Sequence, residues 1–317
     1  MESNNVAVIC SARPSMLKLS LTRTQQQTLP FKKIVVVAWG TEISAIAKET
    51  SHFSLAEITE GGTIGNVSTH RNIGLERIRS MNPDYVAFVD DDTFLNDTWH
   101  EYAMQTAIHT VKTCSIGGVI TFASNWTKVQ SCGHLFSNYR PLDISYGVAQ
   151  DEIVLPTPPE SVSSETFTCP CANSAFVPWT ALECIHEIDG CYWDEKFSRM
   201  TCFEFGFKMH RLGYGYVLAP GALATHNGYL HRKNLRKEDI YDQIFSRIML
   251  YRKFLADAEC VRALADLGQR VIRWATNGYP HSPLSGEEIV HIHETALNTA
   301  GQHQFNKVWT GKIVKPI

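Results

Sequence analysis

The segment Asp84-Tyr-Val-Ala-Phe-Val-Asp-Asp-Asp92 ends an apolar run in three consecutive carboxylates. Five of the six residues before these acids are apolar or aromatic, which predicts a strand buried on both faces of a parallel sheet. The carboxyl end of such a strand faces the ligand crevice, where clustered acids repel one another unless a cation binds them. We therefore predict a Mg2+ or Mn2+ site that holds a phosphate-bearing substrate. The alternative is a solvated acidic turn that caps a helix beginning near Thr93.

Composition limits the class of protein. A chain of 317 residues with 44% hydrophobic residues has room for one large α/β domain with appendages or for two small domains. The net charge of -3 argues against a nucleic-acid-binding surface, which needs a basic excess. The sequence contains no apolar run of about 18 residues and no signal-peptide pattern, which predicts a cytoplasmic protein.

The nine cysteines predict reduced and mostly buried thiols, because they are odd in number and form no CxxC pair. Cys169-Pro-Cys171 is the only close pair of cysteines, and it lacks a plausible second half for a zinc site.

Strands and helices alternate along the chain, which predicts a mostly parallel, Rossmann-like central sheet flanked by helices. The predicted strands are Val6–Cys10, Lys33–Ala38, Ser54–Ile58, Asp84–Val89, Thr113–Phe122, Gly147–Leu155 and Gly215–Ala219, and the predicted helices are Ser15–Gln27, Thr69–Met81, Ala181–Ile188 and Glu204–Leu212. The segment Pro156–Thr168 is rich in Pro, Ser and Glu, which predicts a surface loop that acts as an active-site lid.

The C-terminal part of the chain changes character after Gly228. Leu235–Asp257 and Val261–Thr276 carry apolar residues at helical spacing, which predicts a helical appendage. The basic segment His231–Lys237 is interpreted as a solvated face, with a weak membrane-surface or phosphate contact as the alternative.

Eight short motifs follow one another along the chain: Ser11-Ala-Arg-Pro, Thr69-His-Arg-Asn-Ile-Gly, Phe88-Val-Asp-Asp-Asp, Gly133-His-Leu-Phe, Cys171-Ala-Asn-Ser-Ala, Trp193-Asp-Glu-Lys-Phe, the run from Glu204 to Tyr214, and Ala224-Thr-His-Asn-Gly. In this order they resemble the family 2 glycosyltransferases with the GT-A fold, particularly the rhamnosyltransferase-like branch, over residues 5–255. The resemblance implies a GT-A domain over residues 1–230, with a nucleotide-binding half over 1–100 and an acceptor half over 101–230. Residues 231–317 would form the helical C-terminal extension.

The resemblance also implies roles for individual residues. The nucleotide would be bound by Ser11, Ala12, Arg13, Arg71, Asn72, Asp90 and Asp91, with Asp90 facing the ribose. Asp92 and His226 would hold the Mn2+ or Mg2+ ion beside the diphosphate. The donor or acceptor pocket would be formed by His134, Cys171, Asn173 and Cys202.

Two positions depart from the family pattern. Thr201 and Cys202 stand where these enzymes carry a Glu-Asp pair that includes the general base, so Glu204, the last acid of the pattern, is the predicted catalytic base. Asp194 or Glu195 could replace it from the preceding loop, and Cys202 acting as a nucleophile would give a double displacement. Ala38 stands where an aspartate normally recognises the base, and neighbouring Trp39 could stack on the base instead.

The resemblance therefore implies a metal-dependent inverting glycosyltransferase that moves a sugar from a nucleoside-diphosphate sugar to a carbohydrate or other hydroxyl-bearing acceptor. The first alternative is a catalytically degenerate GT-A module that binds a nucleotide sugar or a partner protein. A metal-dependent nucleotidyltransferase would use the same acids, but Ser11-Ala-Arg-Pro-Ser15 is not a Gly-rich phosphate loop. The sequence leaves open whether the chain forms a homo-oligomer.

Overall fold

A nine-stranded sheet organises the chain in the computed structural model, which describes residues 4–110, 114–153, 166–228, 235–280, 282–305 and 307–310. The strands are β1 (Val6–Ser11), β2 (Lys33–Trp39), β3 (Ala56–Gly62), β4 (Tyr85–Asp90), β5 (Thr93–Leu95), β6 (Cys114–Phe122), β7 (Asn125–Ser131), β8 (His134–Ser137), β9 (Arg140–Asp143), β10 (Phe167–Cys169), β11 (Ser174–Pro178) and β12 (Gly215–His226). The helices are α1 (Pro14–Gln25), α2 (Ile43–Thr50), α3 (Val67–Ile78), α4 (Trp99–His109), α5 (Trp179–Asp189), α6 (Thr201–Arg211), α7 (Lys237–Phe254), α8 (Asp257–Asn277) and α9 (Gly286–Gly301).

The sheet is mostly parallel, as predicted. Its order is β3-β2-β1-β4-β11-β6-β12-β5, with β7 paired to β6. Strands β1, β2, β3 and β4 are parallel to one another, and β6 is parallel to β12, whereas β11, β5 and β7 run antiparallel to the strands that they contact. Six of the nine strands therefore run in the same direction, although four of the eight strand pairings are antiparallel. A second, antiparallel sheet has the order β10-β8-β9. The chain therefore has the predicted α/β fold class.

Side chains of the central strands alternate between two buried layers. Val6 and Val8 belong to one hydrophobic core, and the intervening Ala7 together with Ile9 belongs to the other. This alternation follows from the two-residue period of a strand, and it explains why the central strands are apolar throughout. Helices α1, α2 and α4 cover the second layer, and α3, α5 and α6 cover the first.

The C-terminal helices belong to the main core. Ile244, Ile248 and Phe254 of α7 are buried in the same cluster as Val8 and Phe88 of the central sheet. The described helices of the predicted C-terminal extension, α7, α8 and α9, therefore contribute buried residues to the first layer. Among the described residues, no helix combines the length and the apolar character that a bilayer span requires.

The acidic turn joins β4 to β5, and the helix that the alternative interpretation began near Thr93 begins at Trp99. Several predicted elements were wrong in detail. Residues 147–153 form a turn, with Gly147 at φ +79°, and a short 3-10 helix instead of a strand. Phe167–Cys169 is a strand rather than the end of the predicted loop. Residues 154–165, which include most of the predicted lid, and residues 229–234 of the basic segment lie outside the described residues.

Candidate active site

The candidate site lies where the ends of several central strands meet. Strand β1 ends at Ser11 and pairs with β4 in the register Cys10 opposite Asp90. Strand β12 ends at His226, which pairs with Thr93 just after the acids. Strand β11 runs the other way, so its first residues lie at the same edge, and the Asp90 amide donates to the Asn173 carbonyl over 3.4 Å. The edge therefore gathers residues that are distant in sequence.

Each of the three consecutive acids has a cationic partner. Arg71 Nη2 lies 3.2 Å from Asp90 Oδ1. Asp91 accepts a hydrogen bond of 2.8 Å from Ser11 Oγ and is also bound by the Arg13 guanidinium. Asp92 lies between Arg13 Nη2 at 2.9 Å and His226 Nε2 at 3.2 Å. These partners compensate the mutual repulsion expected of three clustered carboxylates, of which Asp91 and Asp92 are buried and Asp90 is half-buried.

Burial and charge act differently on the three acids. Burial raises the pKa of Asp90 and of Asp91, although Arg71 and Arg13 oppose the rise. Burial alone would also raise the pKa of Asp92, but the hydrogen bond from His226 and the charges of His226 and Arg13 lower it below its ordinary value. Asp92 is therefore the acid of the three that is best prepared to remain ionised.

Asp92 and His226 fit a hard divalent cation. Their facing atoms, Asp92 Oδ1 and His226 Nε2, are 3.2 Å apart, close to the spacing of about 3 Å between neighbouring ligands of an octahedral ion bound at about 2.1 Å. Gln130 Oε1 lies 3.0 Å from His226 Nδ1 and can accept only from an N–H there, so an ion that displaces the Nε2 proton shared with Asp92 would meet the Nε2 lone pair of a neutral imidazole. The carboxylate suits Mn2+ or Mg2+, and the softer imidazole nitrogen favours Mn2+ of the two.

A pocket of about 490 Å³ lies beside these acids. Six of the predicted site residues line it together: Arg71, Asp90, His134, Cys171, Asn173 and Cys202. Arg71 Nη2 donates to Asp90 and to the Ala172 carbonyl. Arg71 Nη1 is buried and has no hydrogen-bond partner among the described residues. The structure thus brings two of the predicted nucleotide-binding residues and all four of the predicted donor or acceptor residues to one pocket.

His134, Cys171 and Cys202 form a tight group within the pocket. One ligand atom from each, an imidazole nitrogen or a thiol sulphur, lies within 4.8 Å of the other two. Burial by itself lowers the pKa of His134, but Cys202 and Asp143 raise it to about 10. A hydrogen bond with Cys171 lowers the pKa of Cys202 well below its ordinary value, against the effect of burial, and His134 adds to the lowering.

Ser11, Ala12 and Arg13 lie in the turn between β1 and α1, at the same edge as the acids. Ser11 is fully buried and Arg13 is exposed. Beyond β2, the Trp39 ring stacks on the His70 ring with centroids 4.6 Å apart. One face of Trp39 is therefore covered by His70, so a base that stacks on this ring would have to use the opposite face.

The side-chain amide of Asn72 is directed at the Trp193–Glu195 loop and not at the pocket. Its Nδ2 donates to the Trp193 carbonyl and to Glu195 Oε1, and its Oδ1 accepts from the Trp193 amide. The predicted nucleotide contact by Asn72 is therefore corrected to a positioning role for the Trp193–Glu195 loop. Trp193 in turn supports Arg71, whose guanidinium lies 4.7 Å from the Trp193 ring centroid.

Glu204 lies outside the residues that line the pocket. Its side chain is 1% exposed, and Oε1 lies 2.6 Å from Lys208 Nζ and 3.3 Å from Lys253 Nζ. Cys202, two residues earlier on α6, lines the pocket, and two residues turn a helix by about 200°. The prediction of Glu204 as the base is therefore corrected to a structural role. The loop acid Asp194 is held by Lys253 at 2.7 Å.

Other pocket residues were missed by the sequence analysis. Asp143, Arg199 and Arg247 line the pocket from β9, from the loop before α6 and from α7. Each lies far along the chain from the acids, and none stands in one of the eight motifs, so no local pattern marked it. Gln130 of β7, which orients His226, was missed for the same reason.

No protein-family model and no curated protein matches the chain. Solved structures do match. GalNAc-T7, solved with UDP, GalNAc and Mn2+, aligns with a TM-score of 0.60 at 11% identity over 92% of this chain and 54% of that one. S. aureus TarS residues 1–349, solved with UDP-GlcNAc, aligns with a TM-score of 0.57 at 15% identity over 94% of this chain and 80% of that one.

The chain thus spans about half of the GalNAc-T7 structure and most of the TarS fragment. Identities this low establish a shared fold and no more. The protein has the GT-A fold of glycosyltransferases, with a carboxylate–histidine pair and a pocket at the edge of its sheet.

Proposed function

We propose that the protein is a metal-dependent inverting glycosyltransferase, of the family 2 and rhamnosyltransferase-like type that its motifs resemble. It would move a sugar from a nucleoside-diphosphate sugar to a hydroxyl group of a carbohydrate or other acceptor. The observation that carries the proposal is the placement of Asp92 and His226 beside the Arg71 pocket in a GT-A fold. GalNAc-T7 and TarS, which share this fold, were solved with UDP or a UDP-sugar.

The donor would lie across the ends of β1 and β4. The turn Ser11–Arg13 would contact the nucleotide, and Asp90 would face its ribose. Arg71 Nη1 is buried and lacks a hydrogen-bond partner among the described residues, and an unsatisfied buried donor is costly. A diphosphate oxygen would satisfy it with a charge-assisted hydrogen bond.

Asp92 and His226 would hold the cation, which when bound offsets charge that develops on the diphosphate. In the transfer, the bond between the anomeric carbon and the diphosphate oxygen breaks, and the electron pair leaves with the nucleoside diphosphate. The acceptor oxygen forms the new bond from the opposite face, and its proton passes to a base. Asp143 is the proposed base: of the two carboxylates that line the pocket its side chain is the more exposed, at 52% against 34% for Asp90, and its partner is His134 rather than the permanently charged Arg71.

A second candidate is a GT-A module that binds a nucleotide sugar without turnover. One observation favours it: Cys202 replaces the usual acid, and the neighbouring Glu204 is engaged by two buried lysines. Both candidates require donor binding, but only the first requires transfer.

The test is a thermal-shift titration of nucleoside diphosphates and their sugars, starting with UDP and UDP-GlcNAc, with and without Mn2+. A ligand at about 100 times its dissociation constant stabilises the native state by about 2.7 kcal/mol. Asp92→Ala should abolish the Mn2+-dependent part of the shift, since it removes a ligand of the ion. Asp97→Ala is the matched control, because Asp97 is an exposed acid paired with Arg23.

Product analysis separates the two candidates. Release of nucleoside diphosphate together with sugar transfer, or slow donor hydrolysis, supports the enzyme, whereas binding without either supports the module. Full Mn2+-dependent affinity in Asp92→Ala would remove this residue from the metal site. Absence of any donor-dependent shift would contradict both candidates.

A further inference from the structure

A histidine and two cysteines converge in the pocket without a role in the proposed donor site. We propose that His134, Cys171 and Cys202 form a binding site for a Zn2+ ion, separate from the Asp92–His226 pair. Their ligand atoms all lie within 4.8 Å of one another. This inference does not rest on the proposed transferase activity, since it concerns metal binding alone.

Three separate elements bring these ligands together. Cys169 pairs opposite His134 in the antiparallel register of β10 and β8, which places Cys171 just beyond the start of β8. Gly133 precedes His134 at φ +103°, and a Cβ there would lie 2.7 Å from the Cys169 carbonyl oxygen. Cys202 is the second residue of α6, and its sulphur accepts a hydrogen bond of 3.3 Å from the Ala172 amide. The cluster is therefore fixed by backbone contacts.

The surroundings of His134 resemble those of a metal-bound imidazole. Its Nδ1 lies 2.7 Å from Asp143 Oδ1, although neither ring nitrogen makes a hydrogen bond of regular geometry within the described residues. Histidine ligands commonly direct one ring nitrogen at a carboxylate and use the other for the metal. Since Nδ1 faces Asp143, Nε2 is the expected ligand. A buried imidazole nitrogen without a partner is otherwise costly, and a cation would satisfy it.

The required change in geometry is small. Tetrahedral zinc binds sulphur at about 2.3 Å and nitrogen at about 2.0 to 2.1 Å, which separates the ligand atoms by about 3.5 to 3.8 Å. The three atoms therefore need to approach one another by no more than about 1 Å, which side-chain rotations can supply.

The ligand types select the ion. Both sites contain a histidine, so the other ligands distinguish them: the two thiolates favour Zn2+, whereas the Asp92 carboxylate favours Mn2+ or Mg2+. Two thiolates neutralise the charge of the ion, so a buried site carries no net charge. Three protein ligands leave a fourth position open, as in catalytic zinc sites. All three residues line the pocket, so a water or a substrate hydroxyl could occupy that position.

The test uses Co2+ as a spectroscopic substitute for Zn2+ on the full-length protein, reduced and then stripped with a chelator. One equivalent of Co2+ should produce the visible bands of a tetrahedral ion and a near-ultraviolet thiolate-to-cobalt band, and Zn2+ should displace both. Cys171→Ser and Cys202→Ser should each halve the thiolate band or abolish it. His134→Ala should weaken binding at least about 100-fold, and Asp143→Asn about 10- to 100-fold.

Two variants act as controls. Cys184→Ser should leave the cobalt spectrum unchanged, because Cys184 lies on α5 and does not line the pocket. Asp92→Ala should also leave it unchanged, which separates this site from the proposed Mn2+ site.

A second measurement needs no substitution. Zn2+, but not Mg2+, should slow the alkylation of Cys171 and Cys202 in the wild-type protein by at least about tenfold, as followed by mass spectrometry, with Cys184 unaffected. Absence of the thiolate band at saturating Co2+ would overturn the proposal. So would a Cys171–Cys202 disulphide that persists in the reduced, folded protein, or equal alkylation rates with and without Zn2+.

Discussion

Glu204 shares a buried cluster of charges with Lys208, Lys253, Asp189 and Asp194, on the inner side of α6. Lys208 Nζ lies 2.8 Å from Asp189 Oδ2, and Lys253 Nζ lies 3.0 Å from the same oxygen. Removing one member of a buried ion pair leaves an uncompensated charge and typically costs about 3 to 5 kcal/mol. Two residues only two positions apart on α6 therefore face opposite ways: Cys202 lines the pocket, and Glu204 is buried in the core.

Glu204→Gln should therefore act on stability rather than on turnover. We expect the free energy of unfolding to fall by about 3 kcal/mol in denaturant titrations, with the turnover number within about threefold of wild type. Glu60→Gln is the control, because Glu60 is exposed on β3. A loss of about 100-fold in turnover at unchanged stability would return Glu204 to the role of general base.

At the scale of elements, the loop between α5 and α6 connects the core to the pocket. Asn72 of α3 holds this loop through three hydrogen bonds, and the Trp193 ring stacks on Phe205 with centroids 4.5 Å apart. Arg71, which precedes Asn72 on α3, donates a hydrogen bond to Asp90 at the pocket. The loop thus supports the guanidinium that we propose contacts the diphosphate.

Asn72→Ala should loosen this connection. The substitution leaves the Trp193 amide without its acceptor, which costs about 1 to 3 kcal/mol of unfolding free energy. We also expect weaker donor binding, because Arg71 loses the fixed Trp193 ring beneath it. Denaturant titration and the donor thermal shift measure the two effects, with Asn298→Ala on the exposed side of α9 as the control. Unchanged stability would contradict the positioning role.

For the whole molecule, the buried charges predict a dependence of stability on acid. Burial alone would raise the pKa of Asp189, but Lys208 and Lys253 lower it to about 2 from its ordinary 3.8. A depressed carboxyl pKa stabilises the native state above pH 4 or so, and this contribution is lost as the pH falls towards 2. The difference corresponds to about 2 kcal/mol. Unfolding free energies measured between about pH 5 and 2 should fall more steeply for wild type than for Asp189→Asn. Parallel curves would contradict this.

The C-terminal helices are expected to be indispensable for folding of the whole molecule. Ile240, Ile244 and Ile248 of α7 are at most 2% exposed, and burying each contributes about 1.5 to 3 kcal/mol. Their loss alone approaches the total stability of a typical domain, about 5 to 15 kcal/mol. A chain that ends at residue 236 should therefore fail to show a cooperative thermal transition by circular dichroism, whereas the full chain should melt in one step. A soluble fragment with its own sharp transition would make residues 231–317 a separate unit.

The sequence by itself determined the α/β class, the mostly parallel sheet and the acidic turn at its edge, because these depend on local periodicity and on strand-to-turn transitions. The apolar run before Asp90 predicts a buried strand end, which the structure confirms as β4, and the spacing of Ser285 and Glu288 is that of the capping box seen at the start of α9.

The tertiary structure decided which way side chains point and which residues distant in sequence they contact. The sequence could not fix whether Glu204 or Cys202 faces the pocket, since a helix presents both within one turn and packing against Lys253 of α7 selects between them. Nor could it pair His226 with Gln130, or His134 with Asp143, Cys171 and Cys202, because those contacts join different strands and helices. Local sequence patterns determine where strands, helices and turns form. The chemistry at the sheet edge depends instead on which distant segments pack together there.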